Sequence, residues 1–465
     1  MDQLTAIVQA INSYLWGVTG LIPLLVGVGI FYTFKLKFVQ IRKFGQAMRF
    51  TFRGLSLHGE RAGKEGMTSF QSLATAVAAQ VGTGNIAGAA TAIAMGGPGA
   101  IFWMWIAAFF GMATIFAEAV LAQLFKTKDD KGHVTGGPAY YITNGLHCRP
   151  LAIFFSISII IALGFIGNMV QSNSIAVAFQ NAFGIPSLYT GLFVACFAAF
   201  IFFGGLGRIA STTEKIVPVM AFLYILGSLI VILSNYEQII PAFKMIFVGA
   251  FNPQAVTGGI VGSIAIAMQM GIARGIFSNE AGLGSAPIAA AAAKTKEPVR
   301  QGLVTMTGTF IDTIIICTLT GLTIIVSGQW LGDTNGAELT QNAFAVTYGG
   351  FAPILLTVSL ALFAFTTILG WNYYGERCWE YLFGTKSILF YRVLFLVILA
   401  SAAFLKLESI WALADIVNGL MAIPNLIALL GLTGVIVAET KKYFEHLEIR
   451  DAKLKAYKAR RIGKR

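Results

Sequence analysis

The stretch Val81-Gly-Thr-Gly-Asn-Ile-Ala-Gly88 interrupts one long apolar run, and Gly271-Ile-Ala-Arg-Gly-Ile-Phe-Ser-Asn-Glu-Ala-Gly-Leu-Gly284 interrupts a second. Each stretch places glycines and polar groups at membrane depth. In hydrocarbon an unpaired backbone N–H or C=O costs several kcal/mol, so irregular backbone persists there only where it lines a cavity or binds a ligand. Two helices broken in this way predict the solute-binding site of a transporter.

The composition predicts a polytopic membrane protein. Of the 465 residues, 56% are hydrophobic and 12% are charged, which is too apolar for a water-soluble chain of this length. The net charge of +12 comes from Lys and Arg gathered between apolar runs, with no nucleic-acid-binding motif beside them. We therefore expect membrane lipid, and no nucleic acid, as a partner. The four cysteines lack metal or redox spacing and predict packing thiols.

Apolar runs long enough to cross about 30 Å of hydrocarbon, which takes about 20 helical residues, number eleven. They lie near 14–34, 68–95, 99–125, 150–180, 188–206, 214–234, 256–290, 301–327, 347–375, 387–404 and 409–438.

The order of these runs predicts an inverted repeat. Setting aside the first run leaves two sets of five, and each set opens with a broken run that enters from the opposite side of the membrane. We therefore predict an all-α membrane protein with about 11 transmembrane helices, a five-plus-five inverted repeat and one extra N-terminal helix. The predicted divisions are an N-terminal helix with a basic interfacial segment (1–66), two five-helix repeats (67–235 and 255–440) and a basic cytoplasmic tail (441–465).

The distribution of Lys and Arg predicts the orientation. Segments 35–66 and 439–465, with the shorter connections on the same side, hold 28 of the 33 basic residues. The opposite connections hold Lys244 and Lys406. We expect a multi-pass protein of the cell membrane with its N-terminus outside and its C-terminus in the cytoplasm. Alternation of basic and apolar residues in 35–66 favours an interfacial helix on anionic lipid over a solvated loop.

The first break offers groups that suit a substrate carboxylate. Gly82 and Gly84 permit backbone conformations outside the helix, and the amides exposed at the start of the distal half-helix suit a carboxylate. Thr83 adds a hydroxyl. The alternative, close helix packing through small residues, is the interpretation preferred for Gly88.

The same break also suggests a cation site. Carbonyls near Ala78 and Val81 and the side-chain oxygen of Asn85 suit Na⁺, which binds oxygen ligands. Thr366 and Thr367, in a late run, could add two hydroxyls. The alternative for these threonines is a hydrogen bond to a carbonyl of their own helix.

Four further residues are candidates for the substrate pocket. Phe277, in the second break, could close over a small side chain, or could pack in the core or face lipid. Trp371 lies too deep in its run for an interfacial anchor, which favours a pocket wall. Asn168 and Gln171 share a helix face and could bind the amino or carboxylate group; the alternative is a bond between helices worth about 1 kcal/mol.

Arg274 lies inside an apolar run, where a guanidinium must face a cavity or an acidic partner. Glu118, Glu280 and Asp312, all within apolar runs, are the candidate partners. A structural or gating ion pair is favoured over contact with substrate.

No enzyme signature is present, because the four histidines fall in or near connections and form no catalytic or metal cluster. A channel or passive facilitator is an alternative to a transporter, but neither pore-lining rings nor a repeated filter loop is evident. A transporter-like sensor is a third hypothesis, disfavoured because no large soluble output domain is present.

The run Gly96-Gly-Pro-Gly-Ala-Ile-Phe-Trp-Met-Trp-Ile-Ala-Ala-Phe-Phe-Gly111, preceded by Gln80-Val-Gly-Thr-Gly-Asn-Ile-Ala-Gly88, resembles the signature of the alanine or glycine:cation symporter family. Gly136-Gly-Pro-Ala-Tyr-Tyr141 and Gly275-Ile-Phe-Ser-Asn-Glu-Ala-Gly-Leu-Gly-Ser-Ala-Pro287 extend this likeness. The resemblance implies a LeuT-like fold and inward transport of alanine or glycine, driven by Na⁺ or, in some members, H⁺.

The resemblance also implies roles for individual residues. The backbone of Gly82–Asn85 would hold the substrate carboxylate and contribute to ion binding, and Phe277 and Trp371 would cap a pocket too small for large side chains. One Na⁺ would lie between the carbonyls of Ala78, Val81 and Phe363 and the hydroxyls of Thr366 and Thr367.

Overall fold

The computed structural model describes residues 2–17, 19–53, 67–257, 263–295, 297–402 and 407–462. Helices dominate these ranges, and the β-structure named within them is one two-stranded hairpin. Six helices in the described ranges are long and apolar enough to cross a membrane. They are Ala100–Leu124, Arg149–Phe183, Gly205–Ser234, Pro298–Val326, Gly336–Phe383 and Leu413–Gly431.

The described part of the N-terminal region contains four helices before the first broken run. They are α1 (Asp2–Leu15), α2 (Leu21–Lys35), α3 (Val39–Arg42) and α4 (Phe44–Arg53). The predicted run 14–34 is therefore mainly α2. Helices α3 and α4 occupy the first part of the predicted interfacial segment, whose remainder, 54–66, lies outside the described residues.

The first set of five spans begins with a broken helix. Its elements are α5 (Ser69–Gln80), a π-helical turn (Gly84–Gly88) and α6 (Ala89–Gly96), then α7 (Ala100–Leu124), strands β1 (Thr127–Lys128) and β2 (Val134–Thr135), α8 (Pro138–Asn144), α9 (Arg149–Ile159), a π-helical segment (Ile160–Gly167), α10 (Asn168–Phe183), α11 (Ser187–Phe202) and α12 (Gly205–Ser234).

The second set also begins with a broken helix, after two short connecting helices. Its elements are α13 (Ile239–Phe251), α14 (Pro253–Thr257), the half-helices α15 (Ile264–Asn279) and α16 (Ala286–Ala291), α17 (Pro298–Thr309), a π-helical segment (Phe310–Cys317), α18 (Thr318–Val326), α19 (Gly336–Tyr348), α20 (Ala352–Phe383), α21 (Ile388–Ser401), α22 (Leu407–Gly431) and the C-terminal α23 (Thr433–Ile462).

The eleven predicted runs correspond to the six long helices, to the three shorter helices α2, α11 and α21, and to the two broken helices. Helices α13 and α19 were not predicted, because each has 13 residues and a search for membrane-spanning runs passes over helices of that length. They lie in the connections that precede α15 and α20.

The second helix breaks later than the sequence predicts. Helix α15 continues through Gly271 and Gly275 to Asn279, and the backbone leaves helical geometry only at Glu280, which has φ +59°. A Cβ on Gly271 would lie 2.2 Å from the Ala100 carbonyl oxygen of α7. This glycine therefore permits close packing of α15 on α7, and the prediction of a break beginning at Gly271 is wrong.

Candidate functional site

The first break exposes two backbone amides whose partners are side chains. Val81 is extended (φ −80°, ψ 92°) and ends α5. The Gly82 amide donates to Oδ1 of Asn85 at 2.9 Å, and the Thr83 amide donates to Oε1 of Gln171 at 3.3 Å. Nε2 of Gln171 donates to the Thr83 hydroxyl at 3.0 Å. Neutral oxygens thus occupy the positions in which a carboxylate would accept hydrogen bonds.

Two glycines in this break lie so close to other helices that an added side chain would force a neighbouring group to move. A Cβ on Gly82 would lie 2.4 Å from the Thr367 hydroxyl oxygen, and a Cβ on Gly84 would lie 3.2 Å from the Phe277 ring and 3.3 Å from Cα of Ser278. At Gly88 the nearest neighbour, Cδ of Arg274, would be 4.0 Å away. Close packing therefore does not require glycine at position 88, contrary to the interpretation from sequence.

Three backbone carbonyls converge on one hydroxyl below the break. The buried Thr367 Oγ1 lies 3.0 Å from the Ala78 oxygen, 3.3 Å from the Val81 oxygen and 3.1 Å from the Phe363 oxygen. Thr366 lies 2.9 Å from the Phe363 oxygen. An all-oxygen group with three carbonyls suits a hard monovalent cation. The structure thus brings together five of the residues predicted for sodium binding.

Asn85, the sixth residue of that predicted set, has both ends of its amide occupied. Its oxygen accepts from Gly82, and its nitrogen donates to the Asp312 carboxylate at 2.7 Å. Asp312 is completely buried and also accepts from Ser278 at 2.9 Å and Thr313 at 2.7 Å. This carboxylate, carried by a π-helical segment, links the first break to the end of α15.

Phe277 and Trp371 form an aromatic corner beside the break. Their ring centroids are 6.2 Å apart and their planes are nearly perpendicular, at 88°. The corner requires Gly167, because a Cβ there would lie 2.6 Å from the Trp371 ring. The Trp371 indole N–H donates to the Glu280 carboxylate, which fixes the ring's orientation. Both rings are more than nine-tenths buried, which excludes a lipid-facing position and fits both a pocket wall and core packing.

Asn168 does not join Gln171 in contacting the first break. Its Nδ2 donates to the carbonyls of Leu163 and Gly164, at 2.8 and 3.3 Å, within its own helix. The widened π-helical turn supplies these acceptors. Asn168 therefore stabilises an irregular helix in this conformation, and only Gln171 of the predicted pair bonds to the break.

The second break is held by acidic and amide side chains. Gly282 and Gly284 have positive φ, and their amides donate to the Glu118 carboxylate at 3.4 and 3.1 Å. Asn425 bonds both Glu118 and the Gly282 carbonyl. Glu280, the first residue of the break, accepts from Trp371 and from a neighbouring serine. These contacts replace the helical hydrogen bonds that the break removes.

Arg274 pairs with an acidic residue that the sequence analysis did not consider. Its two terminal nitrogens contact the two oxygens of Asp415 at 3.0 and 2.9 Å. Glu118, Glu280 and Asp312 bond other groups, so the predicted partners are wrong. Asp415 was overlooked although it lies in a predicted apolar run, where an acidic residue is itself a signal. The pair borders a cavity of about 170 Å³ lined also by Asn12, Met95 and Gln269.

Sequence reasoning thus missed several polar residues that shape both breaks. Asp312, Glu118 and Glu280 were noted only as partners for Arg274, and Ser278 and Asn425 were given no role. An acidic or amide residue inside an apolar run is a detectable signal, but its partner depends on which helices meet. Within the described ranges no group of three or more His, Cys, Asp and Glu could hold a metal ion.

Comparisons with known proteins place the chain among transporters. The model of the "Sodium:alanine symporter family" matches residues 1–457. An uncharacterized transporter of Haemophilus influenzae is 50% identical, over 96% of this chain and 97% of its own. The sodium/alanine symporter AgcS of Methanococcus maripaludis is 48% identical, over 95% and 97%. The probable sodium/glutamine symporter GlnT of Bacillus subtilis is 42% identical, over 94% and 90%.

A solved structure supports the architecture. The crystal structure of MhsT in complex with L-phenylalanine superposes with a TM-score of 0.61, at 12% identity, and covers 82% of this chain and 93% of that chain. At this identity the match concerns the fold alone, which is the LeuT fold that the family resemblance implied.

Proposed function

The chain belongs to the sodium:alanine symporter family, and we propose that it couples the inward transport of small neutral amino acids, alanine and glycine, to Na⁺ by alternating access. It is a multi-pass membrane transporter and not an enzyme. The observation that carries the proposal is the junction at the first break, where three carbonyls around Thr367 lie directly beside the Gly82 and Thr83 amides. Cation and substrate groups thus share one stretch of backbone.

The substrate carboxylate replaces the side-chain oxygens now bonded to the break. It accepts from the amides of Gly82 and Thr83, with Gly84 giving the backbone room, and Gln171 turns to donate to it. The positive end of the distal half-helix favours this negative charge. The side chain of the amino acid then faces the buried edge-to-face rings of Phe277 and Trp371, which favour a small side chain. Asn168 supports this wall from behind, through its own helix.

Sodium binds among the carbonyls of Ala78, Val81 and Phe363, with the Thr367 hydroxyl as a direct ligand and Thr366 beside it. Binding requires the Thr367 O–H to turn away from the carbonyls, so that its oxygen faces the ion. Asn85 contributes by holding the Gly82 backbone. Each Na⁺ that enters gains about 2.3 kcal/mol per 100 mV, equivalent to about fifty-fold accumulation of solute.

The proposed alternating access involves the following division and orientation of the chain. We place the N-terminal helix and interfacial segment in 1–66, the inverted repeats in 67–235 and 255–440, and the tail in 441–465. The N-terminus is outside and the C-terminus in the cytoplasm, in accordance with the basic residues. The Arg274–Asp415 pair then lies on the outer side of the aromatic corner, between α15 and α22, and closes the outer path to the pocket.

Uptake into liposomes tests the proposal. Purified protein should accumulate labelled alanine when an inward Na⁺ gradient is imposed, and glycine should compete with it. Saturable exchange of labelled for unlabelled alanine distinguishes a carrier from a channel. Equal uptake with and without Na⁺ and a proton gradient would contradict the coupling. Uptake driven by a proton gradient alone would assign H⁺ as the coupling ion in place of Na⁺.

A further inference from the structure

Gln80 joins the ends of the two half-helices that meet at the site. It is the last residue of α5, only 3% exposed, and its Nε2 donates to the backbone oxygen of Asn279 at 2.7 Å. Asn279 is the last residue of α15. The final carbonyls of a helix have no partner within it, so the Gln80 side chain satisfies one of these groups across the junction. The nitrogen must face this carbonyl, because two oxygens would repel each other.

This contact belongs to a closed circuit of buried hydrogen bonds. From Asn279, Nδ2 donates to the Thr313 hydroxyl at 3.1 Å, and this hydroxyl donates to Asp312 at 2.7 Å. Asp312 accepts from Asn85, whose oxygen accepts from the Gly82 amide. The circuit therefore leaves the first break at Gln80 and returns to it two residues later. A low local dielectric strengthens such buried networks.

The two ends of the Gln80 contact lie beside the two halves of the site. The next residue along the chain, Val81, supplies one of the carbonyls around Thr367. Phe277, in the pocket wall, lies two residues before Asn279 in α15. An ion that fixes the Val81 carbonyl therefore fixes the end of α5, and the Gln80 contact transmits this restraint to the helix that carries Phe277.

The other end of the Gln80 amide indicates that this residue contributes little to stability. Its Oε1 is buried and has no hydrogen-bond partner among the described residues. Gly308 packs against this oxygen, since a Cβ on Gly308 would lie 2.9 Å from it. An unsatisfied buried acceptor offsets the gain from the bond that the nitrogen makes. An apolar side chain of similar volume should therefore be tolerated by the fold.

We propose that Gln80 is a positioning residue that couples ion binding to substrate binding, by joining the end of α5 to the end of α15. This inference rests on the proposed Na⁺-coupled transport. Binding and coupling are then separate properties, because the ligands of both sites remain present when the Gln80 contact is lost. Na⁺ should then still bind, and alanine should still bind, but each should lose its influence on the other.

The test measures alanine affinity by calorimetry with the purified full-length protein, in saturating Na⁺ and in choline. The ratio of the two dissociation constants is the coupling factor. We expect a ratio of about tenfold or more in the parent protein and less than about threefold in Gln80→Met. Alanine affinity in choline should be nearly unchanged in this variant. Because coupling is reciprocal, alanine should also cease to raise the affinity of the Gln80→Met variant for Na⁺.

Gln301→Met is the matched control. Gln301 is also a buried glutamine with an unpartnered oxygen, and its nitrogen bonds Ser72 of α5 at 3.3 Å, away from both breaks. It should lose a comparable buried bond and keep the parent coupling ratio. Gln80→Leu is a second variant, which carries no hydrogen-bonding group, and it should lose coupling as Gln80→Met does.

The outcomes separate this inference from the proposed function. No effect of Na⁺ on alanine binding in the parent protein would overturn both. A Na⁺ effect in the parent that persists in whichever Gln80 variants fold would overturn the role of Gln80 and leave Na⁺-coupled transport intact. An equal loss of coupling in Gln301→Met would also overturn it, because the effect would then follow from the loss of any buried glutamine bond that involves α5.

Discussion

At the residue scale, two adjacent threonines of the proposed cation site make different contacts. Thr367 contacts three carbonyls through one hydroxyl, whereas its neighbour Thr366 contacts only the Phe363 carbonyl and a methionine sulfur. The prediction from sequence gave the two threonines the same role, because adjacent hydroxyls in a helix give no indication of which one faces a partner helix. The structure separates them.

The first prediction concerns these two threonines. Thr367→Ala should raise the Na⁺ concentration needed for half-maximal alanine uptake by about tenfold or more, a loss typical of a metal site that loses a supporting oxygen. Thr366→Ala should change it by less than about threefold. Thr367→Ser, which keeps the oxygen, is the control and should remain near the parent value. Equal effects of the two alanine substitutions would contradict the assigned geometry.

The second prediction concerns the glycines of the first break. Gly84→Ala places a methyl group 3.2 Å from the Phe277 ring and 3.3 Å from the backbone of α15, and overpacking of this kind costs about 1–3 kcal/mol. Alanine binding should weaken by about tenfold or more. Gly88→Ala meets nothing closer than 4.0 Å and should keep binding within about twofold. Calorimetry of both variants checks this, and similar affinities for the two would refute the distinction.

At the element scale the broken helices were predictable and their boundaries were not. Clustered glycines within apolar runs predicted both breaks, and the first lies where expected, at Val81 and Gly82. Glycine serves two purposes, however, and the sequence does not distinguish them. Gly271 allows α15 to approach α7 within an intact helix, while Gly282 and Gly284 provide positive φ in the break itself.

Contacts between helices remote in sequence could not be read from one chain. Asp415 lies 141 positions from Arg274, and nothing in either local stretch selects it over Glu118, Glu280 or Asp312. The bond from Trp371 to Glu280 likewise depends on how α20 meets the second break. Helix content, span number and the glycines of the first break follow from local composition, but ion-pair partners follow from tertiary packing.

The third prediction tests the Arg274–Asp415 pair as an outer closure between α15 and α22. Removing one partner breaks a mostly buried ion pair, which typically costs about 3–5 kcal/mol. Arg274→Met and Asp415→Asn should therefore each reduce alanine uptake more than tenfold. The double variant should recover part of the loss, since neither charge remains unpaired. Additive losses in this double-mutant cycle would show that the two residues act independently.

At the scale of the whole molecule, a buried charge cluster joins the two sets of helices on the side assigned to the cytoplasm. Glu376 of α20 contacts Arg377 at 3.0 Å and is bound bidentately by Arg392 of α21, at 2.7 and 2.9 Å. Arg377 also contacts Glu380 at 2.6 Å and lies 3.9 Å from Asp129, in the β1–β2 hairpin. The hairpin belongs to the first set, and the other residues belong to the second.

The Asp129 carboxyl is stabilised in its charged form. Although burial opposes it, hydrogen bonds from the backbone amides of His133 and Lys131 and from neighbouring side chains lower the pKa of the Asp129 carboxyl. The group is therefore ionised at neutral pH. Its stabilising contribution is present above the ordinary pKa of an aspartate and is lost as the pH falls through the lowered value.

The fourth prediction follows from the position of Glu376, whose carboxylate pairs with both Arg377 and Arg392. Glu376→Gln removes that charge and breaks the bidentate pair with Arg392, while Arg377 keeps its contact with Glu380, so unfolding should become easier by about 3–5 kcal/mol. The midpoint of thermal unfolding in detergent should fall clearly. Glu445→Gln is the matched control, because Glu445 pairs with Lys441 at 3.8 Å on the exposed face of α23. Exposed pairs contribute about 0–1 kcal/mol, so this midpoint should hardly move. Equal shifts in the two variants would mean that the buried pairs of Glu376 contribute no more to stability than an exposed pair.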